Sequence, residues 1–356
     1  MINRVKMLKN NNLPNCCIIV LNFNAKAYLE NCLKSLQKLN YPKDKYRVVF
    51  VDNASSDGSV DFVRRMFPKL KMIVNRENYG FMKGNNTALR SIKSEYYVLL
   101  NPDTFVEKNW LINLVNAARK DNRIALCSSK VLTMDDKSKI NYAGGLVNFL
   151  GIGWPRGFNL KDNKNYNKME EIGFASGASM LIKDYVLKDI GFLDEDFFIY
   201  YEDVDYSWRA RMFGYDVFYV PSSVVYHKHE GSVRKELGMK RKFYYLERNR
   251  LETLLKNYSS RTLWLMSPLL VVFETMFTFY FLIFYKSPLK LSGFLYLIKN
   301  KKRILEKRVF LQKNRIVSDK DILKYFTYKM PDYFTSNYLT KIINLILKMY
   351  YKLLSL

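Results

Sequence analysis

The run Tyr96-Tyr97-Val98-Leu99-Leu100 stops abruptly at Asn101-Pro102-Asp103-Thr104. An apolar, strand-like stretch ends there in an acid locked one residue behind a proline. Pro102 has a fixed φ and no N–H to satisfy, so it presets a turn that aims Asp103 out of the sheet. Strand ends of this kind are where chemistry is sought in open α/β sheets, because ligands bind beyond the carboxyl ends of the strands.

Working outward, residues 16–132 alternate short apolar runs with longer amphipathic ones. CCIIVLN (16–22), YRVVFVDN (46–53), KMIVNR (71–76), YYVLLNP (96–102) and IALCSSKVL (124–132) read as buried strands. They lack the polar alternation of a half-exposed sheet, as a parallel sheet covered on both faces requires. AKAYLENCLKSLQKL (25–39), SVDFVRRMF (59–67), GNNTALRSI (84–92) and KNWLINLVNAARK (108–120) have helical spacing between them. The pattern predicts an α/β fold with a mostly parallel, doubly wound sheet.

Read alone, the strand ends are Asn22-Phe23-Asn24, Asp52 to Ser59, Asn78-Tyr79-Gly80-Phe81 and Asn101-Pro102-Asp103. They are small, polar and acidic, and no G-x-G-x-x-G follows the first strand, which argues against a dinucleotide fold. Asp52 can accept from ribose hydroxyls or a base N–H. Asp103 can hold a divalent cation that neutralises a diphosphate, since hard cations choose oxygen ligands.

The densest acidic cluster, LDEDFFIYYEDVDYSWR (193–209), puts Glu202 and Asp203 at the start of a helical stretch, where the macrodipole favours ionised carboxylates. Asp205 is spaced to pair with Arg209 at i+4. GFASGASMLI (173–182) is expected between sheet and helix, with Gly177 and Ala178 small enough for an acceptor to approach the backbone. An apolar run ends at His227, and His229 follows; these are the only two histidines of the chain.

The chain resembles the nucleotide-sugar domain of glycosyltransferase family 2, with its GT-A fold, over roughly residues 15–240. VLNFN, VDNASSDGS, NRENYGFMKGNN, NPDT, ASGASMLI, GFLDEDFFIYYEDVDYSWRARMFGY and VYHKHEGS carry the likeness in the family's order. It is nearest to rhamnosyltransferase-like and galactofuranosyltransferase-like members. The resemblance implies a nucleotide diphosphate sugar donor, a saccharide or lipid-linked saccharide acceptor and inversion at the anomeric carbon. By the same likeness Asp52 contacts the nucleobase, and Asn78, Gly84 and Asn85 line the nucleotide and sugar pocket. Asp103 and His227 hold Mn²⁺ or Mg²⁺, Asp203 is the base, and Glu202 orients acceptor or sugar. Where most of the superfamily has Asp-x-Asp, Asn101 replaces the first acid, so an additional protein ligand is expected. Asn22, Asn24, Gly80 and Asn101 complete the expected donor set, and Gly177 and Ala178 the acceptor side.

Two other classes bear on the reading. A nucleotidyltransferase acting on sugar phosphates would use similar strand-end acids but should show a Gly-rich phosphate loop, and LNFNAKAY (21–28) lacks the glycines. A net charge of +25 suits polyanions, yet no stacking motif of an RNA binder is present, so no nucleic-acid partner is expected.

Past residue 240 the composition changes. Residues 241–356 hold 22 basic against 7 acidic residues. Residues 264–285 form an apolar run about as long as a membrane span, but Glu274 at its centre argues for an interfacial, re-entrant or partner-packed segment. A basic block at residues 299–315 suits an anionic leaflet. The stretch 338–356 lines up Lys341, Asn344, Lys348 and Lys352 on one stripe, a membrane-surface pattern. The expectation is a catalytic domain at 1–240 and a helical, membrane-associating region at 241–356, separable enough that a chain ending near Asn257 stays soluble. A homo-oligomer is left open. The four cysteines have no metal spacing and read as reduced core residues. Residues 1–15 hold no apolar stretch of signal-peptide length, and the expectation is a protein on the cytoplasmic side of the membrane.

Overall fold

The computed structural model describes residues 13–228, 233–284, 286–331 and 337–354. Four parallel strands form one half of the main sheet: β1 (Cys16–Asn22), β2 (Tyr46–Asp52), β3 (Lys71–Val74) and β4 (Tyr96–Leu100), in spatial order β4-β1-β2-β3. β1 is apolar to its last residue and buried along its whole length, as befits the centre of a covered sheet. β3 departs from the expected burial. It is the edge strand, with Lys71 and Val74 exposed, so only half of KMIV meets the core.

Helices α1 (Lys26–Gln37), α2 (Ser59–Met66), α3 (Gly80–Ser91) and α4 (Trp110–Ala118) connect or flank these strands. On α1 the buried residues are Leu29, Cys32, Leu33 and Leu36, one stripe at i, i+3, i+4 and i+7. α2 follows Gly58, whose φ of 77° is the left-handed conformation that glycine adopts without a Cβ penalty.

Beyond β4 the sheet turns mixed. β11 (Ser179–Lys183) runs antiparallel between β4 and β6 (Ile124–Thr133), and β12 (Asp216–His227) lies parallel to β6. Directly after Pro102-Asp103 a short β5 (Thr104–Val106) pairs antiparallel with the end of β12, setting His227 opposite Thr104. β7 (Ile140–Tyr142) borders β6, β8 (Gly145–Val147) and β9 (Gly153–Pro155) pair with each other, β10 (Glu170–Glu171) pairs with β12, α5 (Asp184–Ile190) follows β11, and α6 (Glu202–Met212) packs against β6 and β12.

The C-terminal helices are α7 (Val233–Asn257), α8 (Ser260–Phe284), α9 (Leu289–Lys299), α10 (Lys301–Asn314), α11 (Asp319–Leu323) and α12 (Asn337–Leu354). The expected boundary at 240 falls just past Gly238, whose φ of 66° and ψ of 160° break α7 into two helical pieces, and one hydrophobic core crosses it. Trp208 of α6 meets Tyr258 edge-on at 4.6 Å and Phe326 at 4.7 Å, and Met266, Leu311, Ile322 and Met330 join the same cluster as Leu21 and Val49. Thr327 N–H donates to Val147 O (2.8 Å), and the Asn148 amide donates to the Tyr328 and Lys329 carbonyls.

These contacts tie the C-terminal helices into the core of the expected catalytic domain. Removing one buried Phe side chain costs about 3–5 kcal/mol, and a whole domain is stable by only about 5–15 kcal/mol. A chain ending at Asn257, which loses Tyr258, Phe326 and their neighbours together, is expected to show no cooperative thermal transition. A sharp unfolding transition near that of the full chain would show the tail to be dispensable.

Glu274 does not face outward at all. It is buried on α8 and paired with Arg250 of α7 and Lys290 of α9, each at 2.5 Å, while Lys290 also holds Glu247. Its partners are within the chain, so the rest of α8 is left apolar. Val271, Val272, Met276, Phe279 and Ile283 are more than half exposed, as are Leu345 and Met349 of α12. Among the described residues α8 is the one helix long and apolar enough to cross a membrane.

The basic block is partly committed elsewhere. Arg303 and Lys307 pair with Asp196, Lys307 also with Asp194, Arg308 donates to the Leu255 and Tyr258 carbonyls, and Arg315 pairs with Asp319. Lys299, Lys301, Lys302 and Lys313 stay on the exterior.

Candidate active site

At the first strand ends, Asp52 is fully buried. It accepts from the Asn22 amide (2.8 Å), from Ser55 N–H (2.8 Å) and from Ser55 O–H (2.7 Å). Asn24, at a positive φ of 49°, accepts from Ser56 N–H. These bonds brace the loop after β2, and the Asn22 amide oxygen stays buried without a hydrogen-bond partner among the described residues.

Asn53, missed in the sequence, organises the next strand end. Its amide donates to Gly80 O (2.9 Å) and Asn78 O (3.3 Å, side chain), and it accepts from Asn75. A Cβ on Gly84 would come within 2.9 Å of Asn53 and 2.7 Å of Leu21, so that position is glycine for packing. Gly80, at φ 72°, lies against the Phe198 carbonyl, where a Cβ would approach to 2.3 Å. Asn85 is buried and donates to Phe81 O on its own helix. Of this set, Asn78 is the member left half-buried, and its side-chain oxygen accepts from Gly80 N–H.

The β5–β12 pairing brings Asp103 and His227 together. His227 Nε2 lies 3.1 Å from Asp103 Oδ1 and 3.4 Å from the Asn101 amide, and both side chains are at most one-tenth exposed. His227 Nδ1 is 3.3 Å from Asn141 Oδ1 on β7, a partner for which the sequence holds no signal. If Nδ1 donates to Asn141, Nε2 presents a lone pair to a carboxylate, and two acceptors at that distance call for a proton or a cation between them. A separation near 3 Å also matches neighbouring ligands of an octahedral cation with bonds of about 2.1 Å. The residues therefore fit a divalent cation. His229 lies outside the described residues.

A second acidic grouping does not. Asp194, Asp196 and Glu252 bring carboxylate oxygens within 4.8 Å of one another, but Lys256 pairs with Asp194, and Lys307 and Arg303 complete the neutralisation. This is an ion-pair network tying α7 and α10 to the loop before α6. Asp205 belongs to it, bonded to Arg209 at 2.8 Å as its i+4 spacing predicts.

Glu202 and Asp203 open α6 directly after Tyr201, which has a left-handed φ of 70°. Burial, and then the neighbouring Asp203, hold the Glu202 carboxyl well above its usual range, and its Oε2 is buried without a hydrogen bond in the described structure. Burial pushes Asp203 up to about 6, against N–H donors from Val204 and Gly177 that favour its ionised form. Gly177 also leaves only 3.2 Å between a hypothetical Cβ and Glu202 Oε1. Its neighbour Ala178 accepts from Asn101 N–H through its carbonyl (3.2 Å). The segment 177–178 thus joins the acid pair to the strand end that carries Asp103. Two raised carboxylates beside a cation-competent Asp–His pair can combine proton removal with stabilisation of an anionic leaving group.

Residues 17–191 match the family model described as glycosyl transferase family 2. Among curated proteins, the low-salt glycan biosynthesis hexosyltransferase Agl10 of Haloferax volcanii is 24% identical over 206 residues, covering 56% of this chain and 62% of that protein. The N-acetylglucosaminyl-diphospho-decaprenol L-rhamnosyltransferase of Mycobacterium tuberculosis is 22% identical over 231 residues, covering 59% of this chain and 75% of that protein. The chain thus spans less than two thirds of the length of the first of these relatives. Among solved structures, a mannosyltransferase from Pyrobaculum calidifontis in complex with GDP-Man and Mn²⁺ superposes with a TM-score of 0.50 at 21% identity, covering 69% of this chain and 64% of that one.

Proposed function

We propose, from the match of residues 17–191 to the model of glycosyl transferase family 2 and from the GT-A-like fold, that the protein is an inverting glycosyltransferase moving a sugar from a nucleotide diphosphate sugar to a hydroxyl of a glycan acceptor. The observation that carries the mechanism is Asp203, a carboxylate raised to about 6 by burial, on the same sheet end as Asp103 and His227. At neutral pH such a group is largely ionised yet more basic than an ordinary aspartate.

In this reading the acceptor hydroxyl lies between Asp203 and the anomeric carbon. Its oxygen forms the new bond to that carbon from the face opposite the diphosphate, the carbon–phosphate oxygen bond breaks, and the proton passes to Asp203. Backside displacement inverts the configuration. Glu202, raised further, keeps its proton and donates to an acceptor or sugar oxygen. Gly177 and Ala178 give the acceptor room along the backbone. Asn22, Asn24, Asp52, Asn78, Gly80, Gly84, Asn85 and Asn101 build the donor side, several of them by bracing it. A Mg²⁺ or Mn²⁺ held by Asp103 and His227 would supply charge neutralisation for the leaving diphosphate.

The test is a pH profile of nucleoside diphosphate release from a panel of UDP-, GDP- and dTDP-hexoses with MnCl₂. Activity is expected to rise with pH through about 6 as Asp203 loses its proton and then level. A flat profile between pH 5 and 8, or one falling through that range, would remove Asp203 as base.

The exposed apolar faces of α8 and α12, with Lys341, Lys348 and Lys352 beside the latter, support docking on the cytoplasmic face of a membrane and so a lipid-linked acceptor. Each basic residue near an anionic surface is worth about 1 kcal/mol, and the apolar face adds a part that salt does not screen. The full chain is expected to co-sediment with vesicles containing phosphatidylglycerol more than with phosphatidylcholine alone, and to remain partly bound in 1 M NaCl. Absence from both pellets would leave those faces to an oligomer contact.

A further inference from the structure

The loop that delivers Glu202 is held in an unfavourable shape by a residue far along the chain. Phe198, Tyr200 and Tyr201 all have φ between 62° and 70°. None is glycine, and a residue with a Cβ holds that conformation only where its surroundings over-determine it. Those surroundings come from α7. The Asn249 amide donates to Phe197 O (3.1 Å), Ile199 O (2.9 Å) and Tyr200 O (2.8 Å) and is wholly buried. Arg248 donates through Nη2 to Asp196 O and Phe197 O, and its Nε donates to Asn249 Oδ1 (2.8 Å), which fixes which end of the amide faces the loop.

The same peptide units reach the site. Ile199 O and Tyr200 O, which accept from Asn249, lie on the backbone that runs through Tyr201 into Glu202 at the start of α6. Phe198 O accepts from Phe81 N–H at the start of α3 (2.6 Å), on the donor side. We propose that Asn249 is a positioning residue, setting Glu202 through the 199–201 backbone that leads into α6 and fixing the spacing between α3 and α6.

The inference rests on the glycosyltransferase reading for its catalytic consequence, and the experiment separates the two. Asn249→Ala and Asn249→Asp are compared with Asn257→Ala, a buried change on the same helix that touches no loop carbonyl. The aspartate keeps the shape but offers acceptors to three carbonyls. Amide hydrogen exchange of residues 196–204 should accelerate in both Asn249 variants and stay at the wild-type rate in Asn257→Ala. For whichever nucleotide hexose of the panel the wild type hydrolyses fastest, the Asn249 variants should lose about 10²-fold in kcat, as a misplacement near 1 Å costs. Donor KM should stay within about threefold, and the acid limb of the pH profile, set by Asp203, should move, because its neighbour Glu202 is displaced. Unchanged exchange at 196–204 overturns the inference, whatever the activity. So does accelerated exchange with wild-type kcat and pH profile. If the wild type releases no nucleotide from any donor, the transfer reading fails and the exchange result alone decides the clamp. If Asn249→Ala does not accumulate, Asn249→Asp carries both readouts.

Discussion

Asp203→Asn is expected to lower sugar transfer by about 10³-fold while leaving donor and cation binding nearly as they are. The change keeps the volume at the start of α6 and removes only the group that takes the acceptor proton, a contribution worth about 10²–10⁴ in rate. The same substitution should stabilise the fold. Burial raises the folded-state pKa of Asp203 from 3.8 to about 6, so the folded protein binds this proton more tightly than the unfolded chain. That stabilisation is fully present at low pH, below the unfolded value, and is lost as pH rises through about 6. At pH 7.5 the ionised carboxylate is therefore a burden that the neutral amide lacks. The melting temperature of Asp203→Asn should exceed wild type at pH 7.5 and converge with it near pH 4. Transfer at the wild-type rate, or a lower melting temperature at pH 7.5, would contradict the assignment.

The second large effect is expected at the Asp103–His227 pair. Asp103→Ala and His227→Ala should each weaken Mn²⁺-dependent binding of UDP or GDP by about 10²-fold, since even outer partners of metal ligands are worth 10–100-fold. The double variant should lose clearly less than the product of the two, because both side chains, 3.1 Å apart, would act on one ion. Isothermal titration with and without the metal measures this. Strictly multiplicative losses, or equal losses without metal, would separate the two residues. Asn101→Asp is a useful companion: it places a second carboxylate within reach of His227 and should tighten the cation site.

Much of this protein was legible in its residue order. Apolar runs of strand length alternating with amphipathic stretches fall on β1, β2, β4 and β6 and on helices α1 to α4, because local periodicity alone decides which face of each element avoids water. The acids at strand ends, the Glu202-Asp203 pair opening a helix and the Asp205–Arg209 spacing are likewise local features. So is the apolar character of residues 264–285.

What the residue order left open depends on contacts between distant segments. The Asp103–His227 meeting was expected from the family resemblance alone; physically it follows from β5 pairing with β12, and the two residues stand 124 apart in the chain, so no local pattern encodes it. Asn53, Asn141 and Asn249 look like ordinary polar residues in sequence, and their roles come from where three strand ends and a remote helix converge. Gly84 read as pocket lining, yet the space beside it is filled by Asn53 and Leu21. Glu274 read as the mark of an interfacial, re-entrant or partner-packed segment, and only the tertiary structure supplies its partners, Arg250 and Lys290 of the same chain. The raised carboxyls of Glu202 and Asp203 are also tertiary, since the sequence sets the groups and only their burial sets how tightly they hold a proton. Short-range periodicity thus determined the elements, while long-range pairing and desolvation decided the chemistry at their ends.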